Sequence, residues 1–246
     1  MMPIFGENQK LTIVGSTSVQ PICEELVNEY KKSHPEVDIN IQGGGSALGI
    51  KCTNSNHADI GMSSKDVFND SNLKTYELGN DAIIIVVNPE NPINDLSKSQ
   101  IKNIFSGKIK DWGEISNRSG PINVVIREEG SGTLNTFKDI VMCESNIKED
   151  AVVQNSAGCV KKIIMHDKNA IGFVSYMNMD NSLKNISIND ISPSKQNIVD
   201  GKYILQRPFL LLTNSTPDNE TQNFINWVNE NDAEKILNEE RIFKVD

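Results

Sequence analysis

Arg127-Glu128-Glu129-Gly130-Ser131-Gly132-Thr133 sets an arginine, two glycines and two hydroxyls directly before an apolar helical pattern over residues 134–142. That combination is the chemistry of an oxyanion site. The first N–H groups of a helix lack intrahelical partners and face an incoming anion, and a guanidinium adds a planar fork of donors matched to tetrahedral oxygens. Glycine lets the backbone approach closely. Taken by itself, Gly-Ser-Gly-Thr at a helix start is more simply a capping sequence.

Three more hydroxyl clusters lie upstream. Gly15-Ser16-Thr17-Ser18 follows the apolar run 11–14, Gly43-Gly44-Gly45-Ser46 follows 37–42, and Ser63-Ser64 follows the strand-like stretch 58–61. Strand, glycine turn, hydroxyl, helix is the order in which an α/β fold presents ligand groups at the carboxyl ends of its strands. Each cluster read separately is a cap, whereas four of them, one with an arginine, make a shared anion site the better explanation.

At 246 residues and 37% hydrophobic composition the chain can bury a core as one large domain or two small ones. No apolar run approaches the roughly 20 residues a membrane-crossing helix needs. The start, Met1-Met2-Pro3-Ile4-Phe5-Gly6, lacks the basic stretch and apolar core of a secretion signal, as would a chain stripped of its leader. The end, Lys244-Val245-Asp246, offers no anchor. A net charge of −9 argues against nucleic acid as a partner. It does not argue against a small anion, because the summed field is screened beyond roughly 10 Å while buried hydrogen bonds act at contact. Cys23, Cys52, Cys143 and Cys159 fall on predicted helices with no metal-ligand spacing. Buried free thiols are the expectation, with disulfides open to an exported chain. His34, His57 and His166 sit near predicted helix ends and receive no chemistry, so neither a metal nor a cofactor is expected.

The apolar spacing predicts a helix over residues 20–32, stopped by Pro35, and a second after Ser46. Residues 81–88 contain the continuous run Ala82-Ile83-Ile84-Ile85-Val86-Val87, typical of a strand buried on both faces. After Asn88-Pro89-Glu90-Asn91-Pro92 the pattern restarts, with a helix over 98–105, a strand over 122–126, a helix after Ser156 and a strand over 170–174. A second buried-strand run, 208–213, leads to an amphipathic helix carrying Phe224, Ile225 and Trp227, and residues 178–189 read as loop and edge structure. Two α/β blocks whose last segment can rejoin the first point to two lobes, 1–86 with 206–246 and 87–205, linked by extended crossovers near 82–88 and 203–213. Ligands favour the crevice in such an arrangement.

These residues resemble the phosphate-binding subunit of the phosphate ABC transporter. The likeness covers nearly the whole chain: Gly15-Ser16-Thr17-Ser18-Val19, Gly43-Gly44-Gly45-Ser46, Ala58-Asp59-Ile60-Gly61-Met62-Ser63-Ser64, Arg127 through Thr133, and Ala170-Ile171-Gly172-Phe173. The Arg-x-x-Gly-Ser-Gly-Thr element is the specific one. The resemblance implies a two-lobed Venus-flytrap of the type II periplasmic-binding-protein kind, α/β with mixed sheets flanked by helices and a two-strand hinge. It implies phosphate ligands at Thr17, Ser18, Ser46, Ser64, Arg127, Ser131, Gly132 and Thr133, with Ser16, Gly45 and Glu129 behind them and Glu129 orienting the arginine. Where well-known members carry an aspartate that accepts the proton of hydrogen phosphate, this chain has Ser64, which weakens the implied discrimination against sulfate. Asp59, Asp66 and Glu129 are the other candidate acceptors, although Asp59 reads as a strand-end residue and Asp66 as a helix cap.

The leading expectation is a monomeric, non-enzymatic binding protein, extracellular, at the cell surface or periplasmic, anchored through a leader. It would capture phosphate and deliver it to membrane permease subunits. One alternative keeps the flytrap and changes the ligand to sulfate or molybdate. The other is a phosphate-ester or acyl hydrolase with Ser131 as nucleophile, which needs a nearby base, and no histidine lies near any motif.

Overall fold

The computed structural model describes residues 10–67 and 72–243, so the readings at residues 1–6 and 244–246 lie outside it. The chain forms two compact units. The first holds β1 (Lys10–Gly15), α1 (Gln20–Ser33), β2 (Asp38–Gly43), α2 (Ser46–Asn54) and β3 (Ile60–Ser63). Strand β4 (Leu73–Val87) carries the chain out of it after Gly79. The second unit holds β5 (Asp95–Leu96), α3 (Lys98–Phe105), β6 (Asn123–Arg127), α4 (Gly132–Phe137), β7 (Val152–Gln154), α5 (Ala157–His166), β8 (Ala170–Ser175), β9 (Lys184–Ile188) and α6 (Lys195–Val199). Strand β10 (Gln206–Asn214) returns to the first unit at Pro208, which α7 (Asn219–Val228) and α8 (Asn231–Glu239) complete. Phe243 belongs to the second unit, where it pairs with Asn80.

In the first unit β1 lies between β2 and β3, parallel to both, and β10 adds antiparallel to β3, Leu211 facing Met62. The predicted helix over 20–32 is α1, whose Ile22, Cys23, Leu26, Val27 and Tyr30 are buried at helical spacing. Tyr30 stacks on His34, meets Phe224 and Trp227 edge-on, and donates its hydroxyl to Glu220 at 2.8 Å, tying α1 to α7. Burial pushes the Cys23 thiol up to about 12, so it stays protonated and unreactive in the folded chain. We expect iodoacetamide to label exposed Cys143 in the native protein and to reach Cys23 only in denaturant, as peptide mass mapping would read. Early Cys23 labelling would contradict the α1 packing. All four cysteines are free thiols, but only Cys23 is buried as expected: Cys52 and Cys159 are half-buried, and Cys143 is exposed because it follows the last helical turn instead of lying on an inward face.

In the second unit β8 lies between β4 and β6, antiparallel to the first and parallel to the second, and β7 extends β6. Residues Ala82 to Val87 are fully buried, as their continuous apolar run requires. That run therefore belongs to the second unit's core, and the chain leaves the first unit at Gly79 rather than at the expected residue 86. Phe137 stacks on Phe173 with centroids 4.3 Å apart and tilts against Phe105 at 4.6 Å, seating α4 and α3 on β8. The helix expected over 134–142 splits into α4 and a wider π-helical turn, Lys138–Met142. Among the described residues no helix is long and apolar enough to cross a membrane and no cluster of three or more metal-ligating side chains occurs.

Candidate functional site

In the first unit the parallel pairing of β1 with β3 sets Gly15 opposite Met62, so the residues leaving the two strands emerge side by side. Gly15 O accepts from Gly44 N and Gly45 N at 2.8 and 2.9 Å, drawing the start of α2 to the same edge. Gly15 has φ +147°, and a Cβ there would stand 2.2 Å from Met62 O, backbone that cannot yield. Gly15→Ala is expected to cost about 1–3 kcal/mol of stability in urea unfolding. An unchanged midpoint would refute this packing.

Three serines meet at that edge. Ser64 Oγ lies 3.0 Å from Ser16 Oγ and 3.2 Å from Ser46 Oγ, and Ser64 N donates to Ser46 Oγ at 3.0 Å. All three are buried. Ser18 is buried beside them, its N–H donating to Ser16 Oγ at 3.3 Å, while Thr17 is half-buried in the turn before α1. The clusters are not ordinary caps, since neither α1 nor α2 receives a side-chain cap and α2 is entered through Gly45 at φ +89°. Of the alternative acceptors, Asp59 accepts from Thr12 N at 2.7 Å and Asp66 is exposed.

In the second unit Arg127 ends β6 and is 2% exposed. Glu128 grips one edge of its guanidinium with both carboxylate oxygens, Nε donating to Oε2 and Nη2 to Oε1, each at 2.9 Å. Glu129, expected to orient the arginine, does not. It pairs with Lys138 and is 80% exposed, because it sits in the turn that Ser131 N closes by donating to Glu128 O at 3.2 Å, while Glu128 at the turn's start meets the guanidinium. Ser131 caps α4, its Oγ accepting from Leu134 N at 3.4 Å, and Ser131, Gly132 and Thr133 are buried.

Sequence reasoning missed a second guanidinium. Arg207, its side chain fully buried, donates from Nε and Nη2 to Asp81 Oδ2 at 3.0 and 2.9 Å and from Nη1 to Thr133 Oγ1. Asp81, equally buried, accepts on Oδ1 from Ser175 Oγ at 2.7 Å and Tyr176 N at 3.1 Å. Burial raises the Asp81 carboxyl above its usual range, against the pull of Arg207 and of these donors. Burial likewise lowers Arg207, which Asp81 opposes and the neighbouring Arg127 reinforces. A signal existed: each residue directly flanks a buried-strand run, Asp81 before Ala82 and Arg207 before Pro208, where a charge is desolvated unless an opposite one meets it.

Residues 6–232 match the family model of the PBP superfamily domain. A phosphate ABC transporter substrate-binding protein from Clostridium perfringens, solved with bound phosphate, superposes with a TM-score of 0.92 at 31% identity, over 97% of this chain and 100% of that one. An ABC-type phosphate transport receptor from Vibrio cholerae superposes at 0.79 with 35% identity, over 94% and 98%. The phosphate-binding protein PstS of Bacillus subtilis (strain 168) is 28% identical over 235 residues, 92% of this chain and 77% of that one. Family model, sequence relatives and α/β architecture agree: the chain has the periplasmic-binding-protein fold and belongs to the PBP superfamily, among the phosphate-binding proteins of ABC transporters.

Proposed function

We propose that this protein binds inorganic phosphate outside the cytoplasm and hands it to the membrane permease of an ABC transporter, without catalysing a reaction. Its candidate ligands are Thr17, Ser18, Ser46 and Ser64 within the first unit, with Ser16 and Gly45 behind them, and Arg127, Ser131, Gly132 and Thr133 within the second, with Glu128 behind Arg127. The observation that carries the reading is Arg127, a buried guanidinium that Glu128 has already oriented at the end of the strand leading into the Ser131–Thr133 donors. Donors fixed in a desolvated place spend no ordering energy when the anion arrives. The likeness to a phosphate-bound relative supports the ligand. Non-enzymatic action fits the Ser131 hydroxyl, which serves as a helix cap. Membrane attachment through a leader segment completes the proposal.

Calorimetric titration of ligand-stripped protein with phosphate tests the reading, tight binding being the expected result and absence of heat the refuting one. Ser64 brings a hydroxyl to this cluster where an aspartate would bring a carboxylate that repels a fully ionised anion. Sulfate is therefore expected to compete with phosphate in the natural protein and to lose at least tenfold in Ser64→Asp. Complete indifference to sulfate in the natural protein would show that another acceptor selects.

A further inference from the structure

We propose that Arg207, held by Asp81, is a positioning residue for anion binding that acts through the Thr133 hydroxyl; this rests on Thr133 being a phosphate ligand. A guanidinium can only donate, whereas a hydroxyl carries one O–H and accepting lone pairs. With Arg207 Nη1 donating into Thr133 Oγ1, the hydroxyl's accepting side is engaged and its hydrogen points away from Arg207. Thr133 is thereby presented to an anion as a donor. An unconstrained hydroxyl would rotate between donating and accepting orientations, and selecting one at the moment of binding costs affinity.

The arrangement behind Thr133 holds Arg207 in that pose. Two of its nitrogens are fixed on a single oxygen of Asp81, whose other oxygen is occupied by Ser175 and the Tyr176 amide. The guanidinium plane therefore cannot swing without breaking two hydrogen bonds to a carboxylate that two further donors hold in place. Both charged side chains are fully buried, so no water competes for the pose. Stability alone does not account for the pair, because buried ion pairs roughly break even against apolar side chains of similar size. What the pair adds is the third contact, from Arg207 to Thr133. The Arg127 charge also acts on Arg207, adding to the downward push of burial on its guanidinium.

The test is a double-mutant cycle on phosphate affinity, with Kd read by calorimetry for tight variants and by phosphorus NMR into the millimolar range for weak ones. Arg207→Lys keeps the charge beside Asp81 but cannot span both Asp81 and Thr133. It is expected to weaken phosphate binding about tenfold, the loss of roughly one well-placed hydrogen bond. The same substitution made in Thr133→Val should change Kd less than about twofold, and in Thr133→Ser, which keeps the hydroxyl, the tenfold loss should return. Asp81→Asn, which loosens Arg207 without touching Thr133, should follow the same pattern and serves if Arg207→Lys folds poorly. Equal losses in the Val and Thr backgrounds would overturn the inference, since a merely structural arginine is indifferent to the hydroxyl; so would an unchanged Kd in Arg207→Lys. Failure of the natural protein to bind phosphate would remove the underlying reading as well, and that titration is done first.

Discussion

Arg127→Ala is expected to weaken phosphate binding about thirtyfold or more while leaving the chain folded. Truncating one partner of a hydrogen-bonded charge pair costs on the order of 2–5 kcal/mol, and here the lost partner is the guanidinium at the end of the strand that leads into the Ser131–Thr133 donors. Folding should survive because the carboxylate left behind is not trapped: the Glu128 side chain is 30% exposed and can be rehydrated where it stands. Charge is the point of the experiment, so Arg127→Lys belongs beside it. A lysine restores a positive charge but not the fork that Glu128 holds at two nitrogens, and its affinity should fall between those of the natural protein and the alanine variant. Calorimetry gives the affinities and a circular-dichroism melt the fold. Binding by folded Arg127→Ala within a few-fold of the natural protein would show that the anion sits elsewhere.

Asp81→Ala should have the opposite signature, a large loss of stability. It leaves the Arg207 guanidinium with no counter-charge at a position fully closed to water, and it strips an acceptor from Ser175 Oγ and the Tyr176 amide. Breaking a buried pair by removing one partner costs about 3–5 kcal/mol. At about 2–4 °C per kcal/mol for a chain of this size, the melting temperature should fall by roughly 6–20 °C. The paired replacement Asp81→Leu with Arg207→Met removes both charges and should recover most of that loss, though not the affinity that Arg207 lends through Thr133. A melting temperature within about 2 °C of the natural value in Asp81→Ala would mean that water or another group reaches Arg207.

Much of the architecture was legible because it is written at short range. Helix α1 announced itself by Ile22, Leu26, Val27 and Tyr30 on one face, α3 lies over the residues 98–105 expected to be helical, and the inner part of β4 showed as unbroken apolar residues. Elements that escaped are those with too few residues to show a period: β5 has two residues and β7 three. Helix α8 also escaped, since its buried apolar positions reduce to Ala233, Leu237 and little else among acidic residues.

The sequence by itself determined where the helices and inner strands run and which glycine and hydroxyl clusters open them. Side-chain periodicity and turn chemistry act within a few residues, and the chain carries them wherever it folds. Only the tertiary structure decided which groups become partners. It gathered Ser16, Ser46 and Ser64 from three separate segments, chose Glu128 over its neighbour Glu129 for Arg127, and joined Asp81 to Arg207 across 126 positions. The energy of an ion pair or a hydroxyl contact depends on distance and on the exclusion of water, and packing sets both.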